Sequence, residues 1–120
     1  MNGIEVTELE WYLRDHLYRR YNQGKRQFQK ETLPEEMIKL YLRYRNSELE
    51  KMSFMINSVL ERLSSRSVIT QLEDGSIELT SALTRLQCSK CFYICYLSNN
   101  EPNKCAKCSA TELHSFATKK

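Results

Sequence analysis

The sequence predicts an α+β chain in which three helices and a β-hairpin precede a small cysteine-rich β segment. Three observations predict it. Apolar residues recur at helical spacing on successive stretches between Val6 and Leu63, Asp74-Gly75 separates two short strand-like runs, and two Cys-x-x-Cys pairs follow. The natural division is a helical unit with its hairpin over residues 1–82 and a cysteine segment over residues 83–120.

The first helix is predicted over Val6 to Asn22. Leu9, Tyr12, Leu13, Leu17 and Tyr21 share one stripe, and Thr7 with Glu10 has the spacing of a capping box. Asn22-Gln23-Gly24 marks its stop, because glycine enters the left-handed conformation at little cost. Residues 25–31 are polar and read as a loop. Thr32-Leu33-Pro34-Glu35 then supplies a cap, a first-turn proline and an acid for a second helix with Leu33, Met37, Leu40, Tyr41 and Tyr44 on its apolar side. Asn46-Ser47 interrupts the pattern, and Ser47 to Glu50 repeats the capping box. The third helix runs to about Leu63, with Leu49, Met52, Ile56, Val59, Leu60 and Leu63 inward; a single long helix over both stretches stays open. Val68 to Leu72 and Ile77 to Thr80 flank Asp74-Gly75 as a hairpin.

Composition bounds the function. With 41% apolar and 28% charged residues among 120, the chain reads as a soluble globular protein of one domain, or one with an appendage. Apolar runs are too short for a membrane span, and the N-terminus lacks the basic and apolar regions of a signal peptide, so the expected compartment is the cytosol, or the nucleus of a eukaryote. A net charge of +3 does not by itself name a nucleic-acid partner. Arg14, Arg19, Arg20, Lys25, Arg26 and Lys30, however, fall in one stretch with Asp15 as its single acid. Such a cluster either meets phosphates or is a solvated face.

The strongest chemical signal is Cys88-x-x-Cys91, thirteen residues, then Cys105-x-x-Cys108. Two residues between cysteines let the backbone curl so that both sulfurs aim at one ion, and two such curls complete a tetrahedral shell that zinc accepts. Disulfides are disfavoured without a secretion signal. One structural Zn²⁺ on Cys88, Cys91, Cys105 and Cys108 is therefore expected, supplying roughly 10 kcal/mol or more to a segment too small for its own core. Phe92 to Leu97 and Glu112 to Phe116 are its expected strands, with Ser98 to Asn103 as a loop. The fifth cysteine, Cys95, lies beside Ile94 on an apolar strand, either as packing or as a reactive thiol.

Leu86 to Tyr93 and Cys105 to Ala110, followed by Leu113 and Phe116, resemble the zinc-ribbon and rubredoxin-like families. Those families usually place glycine after the second cysteine of each knuckle, where this chain has Phe92 and Ser109. That departure weighs against an iron, electron-transfer protein, whose potential depends on close N–H to sulfur contacts. The resemblance to transcript-cleavage ribbons stops at the ligands, since no adjacent Asp-Glu pair lies between Cys91 and Lys120. Three helices and a hairpin follow the chain order of a winged helix, and with a ribbon after it the architecture resembles archaeal transcription initiation factor E. Acids Glu48 and Glu50 at the start of the third helix favour a protein partner over DNA for such a winged helix. Leu9 to Asn22 followed by Leu33-Pro34-Glu35-Glu36 also resembles the helical domain of GINS replication-complex subunits.

No phosphate loop, nucleophile motif or open metal position is present, so no enzyme is expected. The expected function is a zinc-binding module of transcription or replication that contacts nucleic acid, polymerase-associated proteins or both. Its candidate contacts are Arg14, Arg19, Arg20, Lys25, Arg26, Lys30, Lys90 and Lys107. The alternative is an adaptor acting through protein contacts or homodimerisation, with a rubredoxin-like redox protein third. His16 and His114 lack ligand spacing, and the helical tyrosines, Tyr12, Tyr18, Tyr21, Tyr41 and Tyr44, are expected mainly as core.

Overall fold

The computed structural model describes residues 5–115. Its first helix, α1, spans Val6–Asn22 as the apolar stripe predicts. The expected capping box is not formed. Glu5 occupies the cap position without a side-chain bond, because Glu10 turns inward to a cluster of arginines. The helix ends as expected. Gly24 sits at φ +100°, and the N–H groups of Gly24 and Lys25 bond the carbonyls of Tyr21 and Arg20.

Residues 25–31 are not simply a loop. Gln27–Gln29 forms strand β1, antiparallel to β3 (Ser76–Leu79), which also pairs with β2 (Ile69–Gln71) in the order β1-β3-β2. Phe28 faces Ile77 across the ladder and is buried. The polar flanks Gln27 and Gln29 point outward, so one buried aromatic and a distant partner strand make this element, and local composition does not announce it. The hairpin at Asp74-Gly75 is present, with Gly75 at φ +89° and the Asp74 carboxylate accepting from the Ser76 N–H and hydroxyl.

Helix α2 covers Leu33–Leu40 and stops earlier than its stripe suggests. Tyr41 becomes extended, so that its ring meets Tyr12 edge-on at 5.5 Å and its hydroxyl donates to Asp15 at 2.7 Å. A short 3-10 turn, Leu42–Tyr44, follows and buries Tyr44. Thr32 makes no cap either; its hydroxyl donates back to the Gln29 carbonyl. Helix α3, Leu49–Ser65, is separate from α2, with Glu48 rather than Ser47 at its cap position and no side-chain cap bond. Met52, Ile56, Val59, Leu60 and Leu63 are buried as expected, whereas Leu49 is exposed.

The cysteine segment forms a second antiparallel sheet, β4 (Thr84–Cys88), β5 (Ile94–Leu97) and β6 (Leu113–Ser115), in the order β5-β4-β6. Phe116, Lys119 and Lys120 lie outside the described residues.

The main core joins Leu9, Leu13 and Leu17 of α1 to the buried stripe of α3, with Leu33, Met37, Phe28 and Ile77 closing it. Each such side chain contributes about 1.5–3 kcal/mol on burial. A smaller core under the second sheet holds Leu86, Cys88, Cys95, Leu97 and Cys105. Leu83 and Tyr96 join the larger core, and Trp11 packs against both. Among the described residues no helix is long and apolar enough to cross a membrane.

Candidate metal centre

Cys88 ends β4 and Cys91 lies in the turn toward β5; Cys105 and Cys108 form a second turn before β6. The two turns have the same build. The Cys88 sulfur accepts from the backbone N–H groups of Lys90 and Cys91 at 3.3 and 3.4 Å. The Cys105 sulfur accepts from Lys107 and Cys108 at 3.3 and 3.5 Å. Both turns finish in the left-handed region, with Phe92 at φ 65° and Ser109 at φ 67°. The backbone thus takes the conformation for which glycine is the cheap solution, at a steric cost of about 1–2 kcal/mol at each position. Missing glycines therefore do not remove the N–H to sulfur contacts, which corrects the expectation drawn from their absence.

The four sulfurs converge. Cys88 and Cys108 are 3.5 Å apart, as are Cys91 and Cys105, and all four lie within 4.8 Å of one another. A tetrahedral ion with bonds of about 2.3 Å has sulfur–sulfur edges of about 3.8 Å, so the set fits one metal ion. No protein family, curated protein or solved structure matches this chain. The metal assignment stands on the thiolate geometry alone.

Gathering the four sulfurs moves their ionisation in opposite directions. Backbone N–H groups, that of Cys91 foremost, hold Cys88 below the ordinary thiol value. Burial pushes Cys105 up, yet the N–H groups of Cys108 and Lys107 outweigh it and bring the thiol down to about 6. Cys91 and Cys108 go the other way: the Tyr93 and Ala110 N–H groups lower them, but crowding by neighbouring sulfurs and burial win. Two thiols are thus lowered and two raised, as four sulfurs gathered at one point shift one another.

Cys95 is buried on β5 and lies outside the four-sulfur set. Its sulfur accepts from the Ala106 N–H at 3.4 Å and burial raises its pKa, so it packs beside the second turn.

The basic candidates divide. Arg14 is fully buried and unavailable to a phosphate, a correction to its place in the cluster. It bonds Glu10 at 2.9 and 3.1 Å, both oxygens of Glu101 at 2.7 Å and the Tyr96 carbonyl at 2.6 Å. Arg19 is exposed but pairs with Asp15 at 2.9 Å. Arg26 is exposed over the Tyr21 ring, while Arg20, Lys25 and Lys30 are half-buried around the end of α1 and β1. Lys90 and Lys107 are exposed on the metal turns.

The largest feature sequence reasoning missed is the ionic seam between α1, α3 and the loop after β5. Arg62 of α3 and Arg66, just past its end, reach Glu10 at 3.3 and 3.0 Å, and Arg14 joins Glu10 to Glu101. The i, i+4 spacing of Glu10 and Arg14 is visible in the sequence; their burial is not. Asp15 adds a second tie by accepting hydroxyl bonds from Tyr96 of β5 and Tyr41. Burial alone would raise Asp15, but the bonds from Tyr96, Tyr41 and Arg19 hold it below the usual carboxylate range. His16 and Glu36 link α1 to α2 at 2.8 Å, so this histidine is structural.

Proposed function

We propose that this chain is a zinc-stabilised binding module of the transcription or replication machinery, a winged helix followed by a zinc ribbon, with no catalytic role. The observation that carries the reading is the joining of two arrangements. Helices α1, α2 and α3 with a β1-β3-β2 sheet follow the order and strand pairing of a winged helix, and a four-thiolate set sits at the ends of the next sheet. Four thiolates suit zinc without redox or geometric demand and leave no open coordination position for chemistry. The zinc would act as a structural clamp, replacing a hydrophobic core the second sheet is too small to supply.

A protein partner is favoured for α3. Its solvent side presents Glu50, Lys51, Phe54, Asn57 and Glu61, in which acids outnumber bases and an aromatic ring is 70% exposed. Phosphates would meet repulsion there, whereas an apolar partner surface gains from covering Phe54. Nucleic acid, if contacted, would meet Arg20, Lys25, Arg26 and Lys30 instead.

Affinity capture of the tagged chain from its native cells tests the reading. Polymerase or replication-complex subunits should co-purify and be lost on Phe54→Asp. Capture of neither, together with no salt-sensitive binding to DNA or RNA, would overturn it. A second reading, a homodimeric adaptor, draws on the exposure of Leu40, Leu42 and Leu49 besides Phe54. Light scattering that gives a strict monomer would remove it.

A further inference from the structure

A recess of about 400 Å³ opens between α1 and the turn that carries Cys91. Trp11, Tyr12, Tyr93 and Phe92 supply much of its wall, and its acids are Glu8 and Asp15. No basic residue lines it among the described residues. Cations do touch its walls from outside. The Arg14 guanidinium lies 4.3 Å from the Trp11 ring and the Lys107 ammonium 5.7 Å from the Tyr93 ring, yet neither side chain lines the recess. Arg43 meets Glu8 at 3.0 Å and Arg19 meets Asp15 at 2.9 Å, again from outside the lining.

Phe92 makes this recess more than a fold in the surface. It holds a left-handed backbone at φ 65° and leaves its ring 67% exposed. The turn would be cheaper with glycine, and an exposed benzyl ring gains nothing from folding. Strain and exposure at one residue are explained when the ring covers something that binds.

We propose that this recess docks an arginine side chain of a partner protein, its planar cation stacked on the aromatic walls and its N–H groups directed to Glu8. Ring faces attract a guanidinium, and Glu8, which meets Arg43 through one oxygen, has its other oxygen for the incoming donors. Asp15 is already held by Tyr41, Tyr96 and Arg19 and shapes the floor. A recess lined by a carboxylate and no base does not favour a nucleic-acid phosphate, which separates this site from any basic surface at the end of α1. The inference does not depend on the identity of the metal or on the partner of α3.

Trp11 is the only tryptophan of the chain and lines the recess, so its fluorescence reports occupancy directly. The full chain is titrated with acetyl-Gly-Arg-Gly-amide, with the same peptide carrying norleucine, and with a thymidine tetranucleotide. The arginine peptide should give a saturable change at least about tenfold tighter than norleucine, and the tetranucleotide none. Glu8→Gln and Phe92→Gly should each weaken arginine binding by about threefold or more, while Phe92→Gly melts no lower than the parent. The proposal is overturned if norleucine equals arginine or if the tetranucleotide gives the change. Unaltered binding in both variants, or no saturable change up to about 10 mM arginine peptide, overturns it equally.

Discussion

Arg14 and Glu101, 87 positions apart in the chain, meet through two N–H to oxygen bonds of 2.7 Å in a largely buried site. That pair ties α1 to the loop leading into the second metal turn. Glu101 also accepts the Ser98 N–H, so one carboxylate shapes the loop and anchors it. Any change that loosens the metal turns is therefore expected to reach the helical core through this contact.

Arg14→Ala leaves Glu10 and Glu101 without their shared partner inside the fold. Breaking a buried, hydrogen-bonded pair costs about 3–5 kcal/mol. Urea denaturation should show a loss of that size, although Arg62 and Arg66 remain near Glu10. A loss below about 1 kcal/mol would mean that the pair is exposed in solution.

Acid should weaken the same seam. The Asp15 and Glu101 carboxyls are held below their ordinary values: burial opposes this in both, but Tyr96, Tyr41 and Arg19 outweigh it for Asp15, and Arg14 and Ser98 do so for Glu101. A carboxylate depressed on folding gives stability that is present above its unfolded value and lost as pH falls through the folded one. Stability at constant zinc should thus drop below about pH 4–5, with a shallower slope in Asp15→Asn. Equal slopes in parent and variant would count against the two tyrosine bonds.

The non-glycine left-handed positions offer a gain. Ser67 closes α3 at φ 62° and Ser109 closes the second metal turn at φ 67°. Ser67→Gly and Ser109→Gly should each stabilise the fold by about 0.5–1 kcal/mol, the steric relief less the added chain entropy of glycine. Thermal melts read this directly, and a decrease for both would refute the assigned backbone.

Much of this architecture was legible because it is local. The stripe of Leu9, Leu13 and Leu17, the glycine stop at Gly24, the Asp74-Gly75 turn and the cysteine spacing each carry their instruction within a few residues. What was illegible depends on distant contacts. Phe28 becomes part of a strand only because Ile77 faces it, and α2 ends at Leu40 because Tyr41 turns to Asp15. Thr7, Thr32 and Ser47 carry the right chemistry for caps, but Glu10 is claimed by arginines and Thr32 by Gln29. Arg14 looked like surface charge since no local pattern reveals a carboxylate arriving from Glu101.

The two kinds of cysteine should behave differently. Ser in place of Cys88, Cys91, Cys105 or Cys108 should abolish metal retention and the order of the second sheet, whereas Cys95→Ala should keep the metal and cost about 1–2 kcal/mol from lost packing. Metal content and circular dichroism on the five variants separate these outcomes.

The most direct measurement is elemental analysis of the reduced, folded chain purified without added metal. One zinc per chain in colourless protein is the predicted result. A folded sample carrying well under one equivalent, or a coloured one carrying iron, would contradict a zinc clamp on Cys88, Cys91, Cys105 and Cys108.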